Sequence, residues 1–141
     1  MNGIEYKFAL VVEADILPVS FPNTQTKIDK LHITLIGGKS LKQHKAVLKT
    51  FDFSILPNPP TPLMDRISEA SRVVGDEERI TTFVSLSNQV EFREYVSSIC
   101  SQIGIDNPEP SRFFHISVAN NHGGNPFKSV GDINEGDLIE S

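Results

Sequence analysis

The octapeptide Leu31-His32-Ile33-Thr34-Leu35-Ile36-Gly37-Gly38 alternates polar and apolar residues and stops at a glycine pair. As a strand it would place His32 and Thr34 on one face, about 6.6 Å apart, with Ile33 and Leu35 turned into a core. Eighty residues further on, RFFHISVAN at 112–120 is strongly β-prone and contains His115-Ile116-Ser117-Val118. Both tetrapeptides read His, apolar, hydroxyl, apolar. With average composition a given His is followed by that pattern on the order of 1% of the time. Two hits among four histidines therefore arise in about one chain in a thousand, so the pair is treated as a signal. Two imidazoles and two hydroxyls can then face one cleft.

Around these motifs the chain divides into two halves. IEYKFALVVEA at 4–14 reads as one strand, and the Pro- and Asn-containing stretch 16–30 as a loop delivering the chain to the His32 strand. Ser40 is an N-cap candidate for a helix over about 41–50, with Leu41, Ala46, Val47 and Leu48 on one side and Lys42, Lys45 and Lys49 on the wet side. LPNPPTP at 56–62 can be neither helix interior nor central strand and reads as a crossover near 56–66. ISEASRVV at 67–74 and RITTFVSL at 79–86 flank the turn signal GDEE and predict a hairpin. Asn88, with Glu91 three residues on, opens a helix on which Val90, Tyr95, Val96, Ile99 and Ile103 share a face, stopped by Gly104. The His115 strand follows, then the polar stretch NNHGGNP and a last short strand near KSVGDI at 128–133.

With 141 residues, 38% hydrophobic and 22% charged, the whole of 1–141 reads as a single domain that needs no disulfide or metal to fold. The formal charge of -5 argues against binding to long nucleic acid, so any phosphate site must be local. The lone Cys100 fits a reducing, cytoplasmic setting and lies in a helical pattern that favours packing over reactivity. No apolar run is long enough for a membrane span, and the start lacks a signal-peptide pattern, so a soluble, unprocessed chain is expected. Neither His-x-His nor His-x-x-x-His occurs, and Thr34 and Ser117 stand where facing ligands would be needed, so no metal site and no cofactor are expected. Ile36-Gly37-Gly38-Lys39-Ser40 fails as a phosphate-binding loop because Ile33 occupies the position of its first glycine. His44 reads as an ordinary surface histidine, and so does His122, set apart only because its loop directly follows the second motif.

The paired tetrapeptides resemble the 2H phosphoesterase superfamily, which carries two motifs of the form His, apolar, Thr or Ser, apolar. The resemblance implies an α+β, bilobal fold with two antiparallel sheets, a helix per lobe and a central groove. It implies that His32 and His115 are catalytic and that Thr34 and Ser117 hold the phosphate, Ser being a permitted variant. Members include cyclic phosphodiesterases, RNA end-processing enzymes, viral 2′-5′ oligoadenylate phosphodiesterases and phage enzymes that cut cyclic oligonucleotide signals. The chemistry is coherent: two imidazoles with ordinary pKa near 6.5 can divide base and acid roles at neutral pH, and hydroxyls can donate to developing charge on phosphate oxygens.

Alternation puts Phe113 on the face of His115, as a base-stacking candidate, with Arg112 and Phe114 opposite. Arg112, Lys39, Asn120, Phe127 and Lys128 are further candidates for substrate contact. The expected activity is a metal-independent phosphodiesterase acting on a small cyclic or short 2′-5′ or 3′-5′ linked oligonucleotide, in the host cytoplasm if the source is viral, where it would evade antiviral signalling. The alternatives are processing of RNA 2′,3′-cyclic phosphate ends and a non-catalytic nucleotide-binding module of the same fold.

Overall fold

β4 (His32–Ile36) and β7 (His115–Asn120), the two His-bearing strands, lie side by side and antiparallel at the middle of the sheet. The computed structural model of the chain describes residues 2–14, 20–28 and 30–124. The strand expected near 128–133, and the candidates Phe127 and Lys128, lie outside them.

β4 is flanked by β2 (Leu10–Glu13) and β1 (Ile4–Tyr6), and β7 by β6 (Glu77–Leu86) and β5 (Met64–Val74). The order β1-β2-β4-β7-β6-β5 therefore holds three strands on each side of the β4/β7 seam, and every recorded pairing is antiparallel. The α+β class is as expected, but the two expected sheets are one. Joining β4 to β7 pairs backbone groups that separate sheets would leave on two open edges.

Several elements differ from their sequence reading for identifiable reasons. The single strand expected over 4–14 is a hairpin: Ile4 pairs with Val12 and Tyr6 with Leu10, around Lys7-Phe8-Ala9. That turn contains none of the usual Gly, Pro, Asn or Asp. Thr26–Lys27, in the stretch read as loop, forms the short β3 against Asn120 and Ala119 of β7. Two residues are too few to show periodicity.

The first helix begins at Gly38, not after Ser40. α1 (Gly38–Leu41), a 3₁₀ turn (Lys42–His44) and α2 (Lys45–Thr50) follow one another, with Leu41 and Leu48 buried but Val47 43% exposed. Ser40 lies inside α1, and its Oγ donates to Glu109 rather than capping. Neither Gly37 nor Gly38 has positive φ. A Cβ on Gly38 would run into the Phe8 ring, so a close approach accounts for that glycine.

β5 and β6 form the expected hairpin, closed at Gly75-Asp76 with Gly75 at φ +65°. α3 (Gln89–Ile103) ends as expected at Gly104, whose φ of +93° suits glycine and whose N–H donates to the Cys100 carbonyl at 2.9 Å. Asn88 does not cap α3 with its side chain. Instead it accepts from Leu63 N–H and donates to the Thr61 carbonyl, fastening the end of the proline-rich crossover. Tyr95 holds that crossover from α3 by donating to the Pro57 carbonyl at 2.7 Å, and burial pushes its hydroxyl pKa up to about 12.

One face of the sheet carries the main core. Phe92, Tyr95, Val96, Ile99, Cys100 and Ile103 of α3 join Leu10, Ile33, Leu35, Val84, Ile116 and Val118 in one buried cluster, whereas Val90 is 62% exposed. Each such apolar side chain contributes roughly 1.5–3 kcal/mol by leaving water. Cys100 belongs to this core, and burial raises its thiol pKa to about 11, so it stays protonated and packs. Among the described residues, no helix is long and apolar enough to cross a membrane.

Candidate active site

The geometry of the site follows from one register. Ile33 of β4 is the cross-strand partner of Ile116 of β7, and both point into the core. Continued one residue each way, the antiparallel register sets His32 across from Ser117 and Thr34 across from His115. All four polar residues therefore share the face opposite α3. His32 and His115 become diagonal neighbours, with backbones about 7–8 Å apart. A local two-fold through the Ile33–Ile116 pair exchanges His32 with His115 and Thr34 with Ser117.

Neighbouring strands extend this face in rows, because direct partners share a face. Phe83 of β6 is opposite Ser117, Ser85 is opposite His115, Val11 of β2 is opposite Thr34, and Glu13 is opposite His32. Phe83 and Ser85 escaped the sequence reading. Alternation in TTFVSL does put Thr81, Phe83 and Ser85 on one face, but nothing local says that β6 lies beside β7.

The two histidines have different surroundings. His32 is half-buried, and its ring donates to the Lys30 carbonyl. Burial pushes its pKa below the ordinary 6.5, the backbone hydrogen bond opposing that in part. His115 is only 6% exposed. Its ring stacks on Phe113 with centroids 6.0 Å apart and planes 14° apart, and meets Phe83 edge-on at 5.4 Å. Its Nδ1 lies 3.5 Å from the Phe113 carbonyl. Thr34 and Ser117 are both half-buried.

Phe113 thus lies beside His115, as alternation indicates, and also touches Phe83 edge-on at 6.3 Å. Arg112 is committed elsewhere. Its side chain is 6% exposed, Nε donates to the Thr34 carbonyl at 3.1 Å, and a terminal nitrogen pairs with Glu109 at 2.9 Å. Glu109 also accepts from Gly37 N–H and Ser40 Oγ, both at 2.8 Å. Arg112 and Glu109 therefore clamp the 109–112 loop to the exit of β4.

Asn120 is fully buried, and its Oδ1 accepts from His122 N–H at 2.9 Å and Gly124 N–H at 3.0 Å, shaping the turn that follows β7. Lys39 is exposed on α1. Nε2 of His122 lies 3.1 Å from the Glu78 carbonyl, beside the start of β6. Among the described residues no three His, Cys, Asp or Glu side chains are grouped so as to hold a metal ion.

No protein family, curated protein or solved structure matches the chain. Chemically, the face offers two imidazoles of unequal environment, two hydroxyls on the same side of the sheet, and an aromatic wall at Phe113 and Phe83.

Proposed function

We propose that the protein is a two-histidine phosphodiesterase of the 2H type, acting without a metal on a small cyclic or short 2′-5′ or 3′-5′ linked oligonucleotide. The observation that carries this reading is the Ile33–Ile116 register, because it brings two separate sequence motifs into one four-residue constellation. The same symmetric order of strands about the β4/β7 seam supports a bilobal arrangement, each half contributing one motif to a common groove.

The chemistry requires a proton to leave the attacking oxygen and another to reach the departing one. His32, held neutral by burial, suits the base: it takes a proton from water, or from a ribose 2′-hydroxyl, as the new O–P bond forms. His115 in its protonated form supplies the proton to the ester oxygen as its P–O bond breaks. Thr34 and Ser117 hydroxyls donate to the non-bridging oxygens, where charge builds. A nucleotide-binding module would need the hydroxyls but has no use for the pair of imidazoles.

Turnover of a 2′,3′-cyclic nucleotide, a 2′-5′ oligoadenylate, cyclic di- and trinucleotides and a long RNA ending in a cyclic phosphate, compared at matched concentration, tests the reading. Small substrates should be cut faster, since a chain of net charge -5 repels a long polyanion. Preference for the long RNA would favour end-processing, and tight binding without turnover would favour the binding module.

A further inference from the structure

We infer that Arg72 and Arg79 form a second phosphate subsite, which seats a phosphodiester group of the substrate other than the one over His32 and His115. The inference rests on the phosphodiesterase reading and adds the direction in which the substrate runs.

Arg72 of β5 and Arg79 of β6 are direct cross-strand partners. They belong to the face of the histidines: Phe83 is opposite Ser117 on one side and Ser68 on the other, and Arg79 and Arg72 each follow from these at even spacing. Four residues separate Phe83 from Arg79, about 13 Å along the strand. A nucleotide whose only phosphate sits over the histidines cannot also engage the arginines. One with a further linkage can.

Both arginines are half-buried, where guanidinium charge is screened less than on an open surface. Glu77, on the same face, pairs with Arg79 at 3.0 Å and lies 3.8 Å from His122 Nδ1. Glu77 meets Arg79 at Nε, one of the donors of a planar five-N–H guanidinium fork. Toward the opposite edge the same face carries the exposed Glu13, directly across from His32. A phosphate is repelled on that side and attracted on the other, so the substrate extends from the histidines toward the β5–β6 hairpin.

The test uses the full chain and two substrates: a 2′,3′-cyclic mononucleotide and a linear trinucleotide with two internal linkages. Arg72→Gln/Arg79→Gln should raise KM for the trinucleotide at least tenfold, leave the cyclic mononucleotide unchanged, and flatten the salt dependence of trinucleotide binding. Arg72→Lys/Arg79→Lys, which keeps the charge, should retain most of the affinity and guards against a folding artefact. Trinucleotide affinity is also measured directly in the His32→Ala background, so that the subsite is read independently of turnover. Equal effects on both substrates, no effect on either, or no binding of the trinucleotide would overturn the inference. Absence of turnover by the unaltered protein, with the arginine-dependent binding intact, would instead overturn the phosphodiesterase reading alone.

Discussion

Phe113 lies nearly parallel to the His115 imidazole, at 6.0 Å between ring centroids and 14° between planes. From sequence Phe113 is a wall for a nucleobase; in the structure it also holds a catalytic candidate in place. Phe113→Leu should lower kcat about tenfold with little change in KM, and should cost about 1 kcal/mol of stability as the stack is lost. Phe113→Tyr should preserve both. A variant that changes only KM would return Phe113 to substrate stacking alone.

The environment of His32 gives a pH signature. Burial keeps its folded-state pKa below 6.5, so below that pH the unfolded chain binds its proton more readily than the folded one. The resulting stability penalty is absent above about pH 6.5, grows as pH falls toward the folded-state value, and is constant beneath it. Denaturant unfolding at pH 7 and pH 5 should show this loss, and His32→Asn should reduce it. In kcat/KM, the acid limb set by His32 should lie below pH 6.5. A limb at or above 6.5 would contradict the assignment.

Arg112 provides a contrast between structural and substrate roles. Its buried pair with Glu109 ties the 109–112 loop to Gly37 and Ser40. Arg112→Met should cost about 2–3 kcal/mol in unfolding free energy, since Glu109 loses its cation while staying partly buried. Arg112→Met with Glu109→Leu should recover part of that loss. An Arg112→Met protein of unchanged stability but raised KM would show that the side chain serves substrate, as its place beside Phe113 in the sequence indicates.

Much of this was legible in the sequence, and the rest failed in physically specific ways. The β5–β6 hairpin, the stop at Gly104 and the alternation of both His motifs are local properties, written in turn residues and side-chain periodicity. Pairing between β4 and β7 is not local: no residue near Ile33 encodes Ile116 as its partner, and the two sheets that the family resemblance implies are one. The hairpin at Lys7-Phe8-Ala9 lacked turn chemistry, and Asn88 resembled a cap while serving the crossover. Long-range partners also decided the fates of Arg112 and Asn120, since a polar residue beside a motif looks the same from sequence whether it faces a ligand or a carbonyl.

The burial of His115 bears on how it can be tested. At 6% exposure and packed between Phe113 and Phe83, it cannot be truncated without leaving a cavity. His115→Ala should therefore lower the melting temperature, whereas His115→Asn should lower it less.

The most direct measurement of the central claim is single-turnover cleavage of a small nucleotide phosphodiester, in EDTA, by the unaltered protein, His32→Asn and His115→Asn, each verified as folded. Two-histidine catalysis requires activity that survives the chelator and falls at least about 10²-fold in each variant. Activity abolished by EDTA and restored by Zn²⁺, or a rate untouched by both substitutions, would contradict it.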